Sequence, residues 1–237
     1  MAEPTQSATV LHVRPLSPHV REMVLAPQMN PISYKPGQWI SVQLPAGSHP
    51  PLVRAYSMAE PQSVSGHLVL IFDRVPGGLG TEYLFGLNEG DEVMVSGPYG
   101  RFVLPDLTLQ DLVFIARYTG IVPIHCMLRH LLATVQPRSL ILGYSAPTES
   151  ELIYHNKFEQ WSSGGNLLYL PSISGSKEGL ETPVHEWPII RNLTPHIEKR
   201  KDFVPLISGI KAFVRPLRMY FTELGWDRRQ IRVETYD

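Results

Sequence analysis

Alternation of apolar and polar residues, interrupted at regular intervals by turn signals, dominates the first half of the chain. Between residues 8 and 104, short β-branched or alternating runs include QWISVQLP, HLVLIFDRV and DEVMVSGP. Turn-forming segments such as Lys35-Pro36-Gly37 separate these runs. Successive side chains of a strand point to opposite faces, so this pattern is typical of antiparallel sheet. It predicts an all-β domain, a sandwich or a barrel.

The pattern changes after Pro105. Apolar runs such as LVFIA, SLILGYS and FVPLIS now alternate with longer helical segments such as IVPIHCMLRHLLATV and IKAFVRPLRMYFTEL. A strand that is apolar throughout is buried on both faces, as in a parallel sheet covered by helices. These features predict a doubly wound α/β domain, with domains at residues 1–105 and 106–237. Residues 173–194, rich in Gly, Ser, Pro and Glu, are predicted to form a long loop.

Charge and cysteine content narrow the function classes. Among 237 residues, 21 Lys and Arg stand against 22 Asp and Glu, which disfavours a nucleic-acid or anionic-membrane binder. The single cysteine, Cys126, excludes an internal disulfide and a cluster held by four cysteines. Histidines lack metal-ligand spacing, so no metal site is expected. The start shows no leader, and no stretch is apolar enough to span a membrane, so a cytoplasmic protein is expected.

The segment Arg54-Ala55-Tyr56-Ser57 is the first that suggests chemistry. In a strand, Arg54 and Tyr56 share one face. A guanidinium suits a phosphate and a phenol ring suits a flat heterocycle, so the pair would fit a nucleotide-like cofactor. Taken alone, the segment is more typical of a surface arginine beside a packed tyrosine.

Three further motifs occur in order around this segment: KPGQWI at residues 35–40, VPGGLGTEYL at 75–84 and GPYGRF at 97–102. With them, the chain resembles the ferredoxin–NADP reductase family, most closely the reductases of bacterial aromatic-ring oxygenases. The resemblance implies an N-terminal, flavin-binding antiparallel β-barrel followed by a C-terminal doubly wound, parallel α/β domain that binds a pyridine nucleotide. It also implies FAD as the cofactor, with FMN as the alternative, and NAD(P)H as the co-substrate.

The resemblance also assigns roles in the first domain. It makes Arg54 a ligand of the flavin phosphate, Tyr56 the ring against the isoalloxazine, and Ser57 a hydrogen-bond partner near the flavin N5. The glycine-bearing turn would hold the pyrophosphate through backbone N–H groups and a hydroxyl. The complete set of flavin residues implied is Arg54, Ala55, Tyr56, Ser57, Gly78, Gly80 and Thr81.

A strand, loop and helix around FIARYTGIVP resemble the family's pyrophosphate loop for the nicotinamide dinucleotide. The resemblance implies that Thr119 and Gly120 bind the dinucleotide. The family's two consecutive glycines are here Arg117 and Tyr118, whose side chains replace bare backbone. Two interpretations stay open: Arg117 supplies a guanidinium to the phosphate, or both side chains fill the site.

The C-terminal segment ISGIKAF lies where the family has a Cys-Gly pair beside the nicotinamide. Ser208 stands in the place of that cysteine and Gly209 is retained, so Ser57 and Ser208 are the two candidate catalytic residues. Gly143-Tyr144-Ser145 lacks an arginine often present in relatives, which favours NAD over NADP. For Tyr236, strand packing is favoured over the alternative that it lies against the flavin, as a C-terminal aromatic residue does in some relatives.

Three functions follow from these patterns. The first is a flavoprotein oxidoreductase that transfers hydride from NAD(P)H to bound FAD and passes electrons to a separate protein or small-molecule acceptor. The second is a flavin-binding electron-relay or redox-sensing subunit whose pyridine-nucleotide site is blocked. The third is a scaffold without a cofactor, and a colourless protein that FAD cannot reconstitute would support it.

Overall fold

A computed structural model describes residues 3–45, 51–105, 110–134, 139–175 and 180–236. The chain divides into two compact units. The first comprises Met1–Leu104 together with His125–His130, and the second comprises Pro105–Ile124 and Leu131–Asp237. No helix among the described residues is long and apolar enough to cross a membrane.

The first unit is built mainly from strands, and its elements follow the alternating pattern of its sequence. They are β1 (Glu3–Ser17), β2 (Val20–Pro27), β3 (Trp39–Leu44), β4 (Leu52–Ser57), β5 (Leu68–Asp73), the helix α1 (Leu79–Gly86) and β6 (Glu92–Tyr99). Along β3, Ile40, Val42 and Leu44 are buried and the residues between them are partly exposed. This period of two makes one face of the strand part of the core.

Within the described residues, these strands form one six-stranded sheet in the order β4-β3-β6-β1-β2-β5, and the paired strands are antiparallel. The two ends of the sheet are linked directly after β4. Met58 forms an isolated antiparallel bridge with Leu70, and the Ala59 N–H donates to the Val69 carbonyl at 2.8 Å. The predicted antiparallel fold of this half is confirmed, and β4 carries the Arg54 segment.

The second unit alternates strands and helices. Its elements are β7 (Asp111–Arg117), α2 (Ile121–Thr134), β8 (Leu140–Ala146), α3 (His155–Ser163), β9 (Leu168–Ile173), α4 (Pro188–Ile197), β10 (Phe203–Ile210), α5 (Lys211–Glu223) and β11 (Arg232–Tyr236). A short 3₁₀ turn, Tyr118–Gly120, joins β7 to α2. The His125–His130 part of α2 belongs to the first unit.

Within the described residues, the sheet of the second unit has five parallel strands in the order β11-β10-β7-β8-β9. All residues of β8 are buried, as are those from Leu112 to Arg117 in β7, because both faces of these strands are covered. The predicted doubly wound fold is confirmed. The chain runs from β7 outward to β8 and β9 in one direction, and from β10 to β11 in the other. The ends of β7 and β10 therefore form the switch point where such sheets bind ligands.

The expected long loop at residues 173–194 is wrong over its C-terminal part, because α4 begins at Pro188. Proline suits the first turn of a helix, where its missing N–H has no intrahelical partner. Ile189, Ile190, Leu193 and Ile197 are buried along one helical face. Four residues of the expected loop, 176–179, lie outside the described part of the chain.

Candidate functional site

Strand β4 lies at one end of the first sheet and presents the Arg54 segment. It pairs with β3, with Arg54 opposite Val42 and Tyr56 opposite Ile40. Arg54 and Ala55 are exposed, Tyr56 is partly exposed and Ser57 is buried. The Arg54 guanidinium donates from Nη1 to the Val53 carbonyl at 2.9 Å and is otherwise open to solvent. A charged donor in this position can bind an anion without a large desolvation penalty.

Helix α1 begins beside Arg54. Gly80 is buried, and a Cβ there would lie 2.7 Å from Leu44 Cδ1 and 3.7 Å from Arg54 Cγ. Glycine therefore lets the helix approach the strand this closely without displacing the Leu44 side chain. The first backbone bond of the helix runs from the Glu82 N–H to the Gly78 carbonyl at 3.0 Å. The preceding N–H groups at the positive end of the helix dipole have no intrahelical acceptor, as anion sites require.

Aromatic rings connect α1 to the strand that carries Tyr56. The ring of Phe72 lies edge-on to Tyr56, with centroids 6.1 Å apart, and edge-on to Phe85, at 5.5 Å. Arg21 then donates from Nη1 to the Phe85 carbonyl at 2.6 Å and lies over the Phe85 ring. These contacts hold the end of α1 against β2 and β5, which positions the start of the helix beside Arg54.

The phenol of Tyr56 is neutral at physiological pH. Burial raises its pKa to about 12, and the nearby Asp73 carboxylate adds to the rise while the Arg54 charge opposes it. An uncharged ring that is only partly covered by protein can accept a flat aromatic ligand on its free surface.

Ser57 and Thr81 have less freedom than their expected roles would suggest. Ser57 is buried at the end of β4 and has interactions of its own. The Thr81 hydroxyl accepts from the Val75 N–H at 3.2 Å and lies 3.1 Å from the Val75 and Gly78 carbonyls. Thr81 thus braces the turn before α1, and its role toward a pyrophosphate stays a prediction.

The residues of the first unit fit an FAD molecule. An exposed guanidinium and the start of α1 converge on one place, which suits a diphosphate. A Cβ at Gly77 would meet no atom within 4 Å, so the turn leaves open space beside the helix. The partly exposed Tyr56 ring offers the flat surface. The roles of all seven predicted flavin residues, Ala55 and Gly78 among them, remain predictions.

In the second unit, the ends of β7 and β10 meet very closely. A Cβ on Gly120 would lie 2.4 Å from the Ser208 carbonyl oxygen and 2.8 Å from Gly209 Cα. Gly120 is therefore required for packing between the turn and β10. Thr119 lies in the same turn and has interactions of its own. The structure brings together four predicted residues here: Thr119, Gly120, Ser208 and Gly209.

Arg117 and Tyr118 occupy this switch point. The Arg117 side chain is buried, and among the described residues its Nε has no hydrogen-bond acceptor. Burial lowers the pKa of Arg117, and the Glu151 charge partly offsets this effect. A Cβ on Gly209 would lie 3.5 Å from Arg117 Cβ, so the arginine packs beside β10. Tyr118 has a φ of 51°, in the left-handed region that glycine adopts at no steric penalty.

Ser208 is fully buried, and its hydroxyl donates to the Tyr236 oxygen at 3.3 Å. On the neighbouring strand, Glu234 is in register with Ser208. Burial raises the pKa of Glu234 to about 7. A hydroxyl, a phenol and a carboxyl near its titration point thus lie together at the ends of β10 and β11. Perturbed carboxyls of this kind are common at functional sites.

Sequence reasoning missed Glu234 and favoured strand packing for Tyr236. The signal that could have found them is the alternation of β11, which places residues 234 and 236 on one face of the strand. The register with β10, which brings that face to Ser208, becomes available only in the folded sheet.

The sequence of this chain matches a family of FAD-binding domains and several known reductases. The family described as an oxidoreductase FAD-binding domain matches residues 7–104. A protein named ferredoxin–NADP reductase B, from Sorangium cellulosum, is 31% identical over 252 residues, covering 100% of this chain and 99% of the relative. The phenol hydroxylase P5 protein of Acinetobacter pittii is 32% identical to this chain. The match covers 76% of this chain but only 49% of that relative. The chain thus spans about half the length of such a relative.

Solved structures match both units. The cytochrome P450 reductase of Amycolatopsis superposes with a TM-score of 0.84 at 24% identity, covering 98% of this chain and 69% of that one. The ferredoxin–NADP⁺ reductase of Plasmodium falciparum superposes with a TM-score of 0.77 at 18% identity, covering 98% and 96%. At these identities, the likeness shows the fold.

Replacing Gly120 with alanine tests the close approach of the turn to β10. The added methyl would lie 2.4 Å from the Ser208 carbonyl oxygen, so backbone must move. We expect Gly120→Ala to lower the free energy of unfolding by about 2 kcal/mol or more, measured by urea denaturation. In the control Gly86→Ala, the methyl meets no atom within 4 Å, and stability should be unchanged or slightly higher. Equal stability of the two variants would contradict the steric argument.

Replacing Glu234 with glutamine tests the raised pKa. An acid with a pKa of about 7 in the fold and 4.5 as its ordinary value is disfavoured when ionised, so it destabilises the fold as pH rises from 4.5 to 7. Glutamine cannot ionise. Relative to the parent, Glu234→Gln should therefore gain stability between pH 4.5 and pH 8, by up to about 3 kcal/mol.

The measurement is the free energy of unfolding at both pH values. The exposed Glu198, just after α4, provides the control variant Glu198→Gln, whose difference from the parent should change little with pH. If the free energies of unfolding of Glu234→Gln and the parent change with pH in the same way, the pKa of Glu234 is not raised.

Proposed function

The chain belongs to the ferredoxin–NADP reductase family, and on that premise we propose that it takes hydride from NAD(P)H onto bound FAD and passes the electrons to a separate acceptor. The predicted family is confirmed by the 31% identity with a reductase over the whole chain. FAD as the cofactor agrees with the FAD-binding family that matches residues 7–104.

One observation carries this proposal. Arg54 and the start of α1 lie side by side, so close that a Cβ on Gly80 would be 3.7 Å from Arg54 Cγ, and Tyr56 follows on the same face of β4. A double phosphate needs two neighbouring sources of positive charge, and a flavin needs a flat partner. Since both needs are met on one side of one strand, the arrangement supports FAD more strongly than FMN.

Each residue would have a separate task in holding the cofactor. Arg54 would bind a phosphate oxygen, and the N–H groups at the start of α1 would bind the other phosphate. Tyr56 would cover one face of the ring and exclude water from it. Ser57, buried at the end of β4, would donate a hydrogen bond near the ring. FAD, when bound, supplies the chemistry of hydride acceptance and single-electron donation.

The switch point of the second unit would receive the pyridine nucleotide. Parallel sheets bind ligands outside the carboxyl ends of their strands, where the strand order reverses. Arg117 would then bind a phosphate oxygen, and Ser208 would help to orient the nicotinamide ring. Glu234, with its pKa of about 7, could hold or release a proton near Ser208 under physiological conditions.

The acceptor is proposed to be a separate electron-carrying protein. This chain has one cysteine, Cys126, which is buried, so it cannot itself bind a cluster through several cysteines. Relatives are named as a ferredoxin–NADP reductase and as reductase components of oxygenases. Both names describe proteins that work with a partner, which supports a partner for this chain.

A second function is favoured by the state of Arg117. Its buried side chain packs beside Gly209 rather than extending into solvent, and Tyr118 follows it in a left-handed conformation. If these side chains close the switch point to a dinucleotide, the protein would bind FAD and relay electrons from another donor, or sense redox state.

Replacing Arg54 tests the flavin site. Arg54→Ala removes a charge-assisted hydrogen bond worth about 1.5–3 kcal/mol, so the Kd for FAD should rise about tenfold to a hundredfold. The measurement is an equilibrium titration of flavin-stripped protein with FAD. Arg54→Lys keeps the charge but loses the planar fork, and should give an intermediate Kd.

Arg191 in α4 is exposed and provides the matched control, since Arg191→Ala removes the same charge from the second unit. Its Kd for FAD should equal that of the parent. An unchanged Kd in Arg54→Ala would remove the phosphate role from this arginine.

Anaerobic mixing with NADH or NADPH distinguishes the two functions. Rapid bleaching of the flavin absorbance is expected if the switch point accepts the nucleotide, and no bleaching is expected if it is closed. The double variant Arg117→Gly with Tyr118→Gly restores two glycines. It should bleach faster than the parent if the side chains obstruct, and more slowly if Arg117 binds the phosphate.

Tyr154 provides the control for backbone strain, because it too is a non-glycine residue with a positive φ, 62°. Tyr154→Gly relieves the same kind of strain at the start of α3 without changing either residue of the turn, and should leave the bleaching rate unchanged. If the flavin of the double variant is bleached at the same rate as that of the parent, the two side chains neither obstruct the nucleotide nor bind its phosphate.

A further inference from the structure

A cavity of about 680 Å³ lies in the second unit, between the outer face of α5 and the edge strand β11. Helix residues Arg215, Arg218 and Thr222 follow at intervals of three and four, which places them on one helical face. Val233 and Thr235 line the opposite wall. Because neighbouring residues of a strand point to opposite faces, this wall faces away from Glu234.

Three arginines line this cavity: Arg215, Arg218 and Arg228. None of them forms an ion pair with a carboxylate in the described part of the chain. One carboxylate, that of Glu223, also lines the cavity, so the lining keeps a net positive charge. Exposed arginines can stay solvated, but a concave wall brings their charges together around a common space.

Arg218 is the most constrained of the three. Its Nη2 donates to the Arg228 carbonyl at 3.1 Å, which fixes the guanidinium, and its Nε is buried with no acceptor among the described residues. Burial and the Arg228 charge both lower the pKa of Arg218. A fixed guanidinium that is partly desolvated and lies near another positive charge would be stabilised by an anion.

Part of the remaining wall is apolar. Val214 and Val233 contribute aliphatic surface, and Met219 is 64% exposed beside the arginines. A flexible methionine adapts to ligands of different shape. A volume of about 680 Å³ falls within the range of roughly 300–1,000 Å³ that is typical of small-molecule sites.

We propose that the cavity between α5 and β11 binds a small amphipathic anion, with its carboxylate or phosphate on Arg218 and Arg228 and its apolar body against Met219 and Val233. The concave shape and the fixed guanidinium favour a small molecule over a protein surface. The proposal does not depend on the proposed function, because the cavity shares no lining residue with the candidate flavin and nucleotide sites.

The test is calorimetric titration of the whole protein in the presence of saturating FAD, so that the flavin phosphate site is filled. The probes are hexyl phosphate and octanoate, with 1-hexanol and inorganic phosphate as the separated parts of hexyl phosphate. At least one amphipathic anion should bind at least about tenfold more tightly than 1-hexanol and inorganic phosphate. Comparison of the two anions distinguishes a phosphate from a carboxylate ligand.

Two variants test the residues. Arg218→Gln removes the fixed charge, and Met219→Glu adds a repelling charge at an exposed position while keeping every arginine. Each should weaken binding at least about tenfold, whereas the exposed control Arg191→Gln in α4 should bind as the parent does. Melting temperature and FAD content confirm that each variant is folded.

Three outcomes would overturn the proposal. The first is that Met219→Glu and Arg218→Gln bind the amphipathic anions with the same affinity as the parent protein. The second is an affinity for hexyl phosphate and for octanoate that is no higher than the affinity for inorganic phosphate, since the apolar walls would then contribute nothing. The third is binding of a hexaglutamate peptide with no binding of either amphipathic anion, which would assign the arginines to an acidic protein partner.

Discussion

The second unit depends on one close approach, where the turn after β7 passes the end of β10. Gly120 has no side chain, so its backbone can lie where any Cβ would meet the Ser208 carbonyl oxygen at 2.4 Å. This contact brings the turn, the buried Ser208 hydroxyl and, through strand register, Glu234 to one end of the sheet. The chemistry proposed for this unit therefore follows from a steric requirement at a single glycine.

Beside this tightly packed point, the chain retains two unfavourable local features. A buried guanidinium nitrogen without an acceptor among the described residues raises the free energy of the fold, and so does a tyrosine with a left-handed backbone. The surrounding contacts must compensate for both. Such features persist mainly at functional sites, which makes the Arg117–Tyr118 pair more informative about function than the glycines it replaces.

Much of the fold could be predicted because burial imposes simple periods on the sequence. β3 alternates, since one of its faces is exposed, and β7 is apolar throughout, since both faces are covered. Helix α4 was missed because its two prolines and scattered polar residues suggest a loop, although its buried isoleucines follow a helical period. The raised pKa of Glu234 could not be predicted, because it arises from burial between strands that are distant in sequence.

The two proposed phosphate-binding arrangements, at Arg54 and at Arg117, differ in how much the protein must change when an anion binds. Arg54 is exposed and lies beside the start of α1, so an anion can bind there without displacing protein atoms. Arg117 is buried, so its guanidinium must move, or the anion must reach it within the protein. Reorganisation of this kind subtracts from affinity. If the proposed function holds, this asymmetry suits a flavin that stays bound through many turnovers and a nucleotide that must leave after each one.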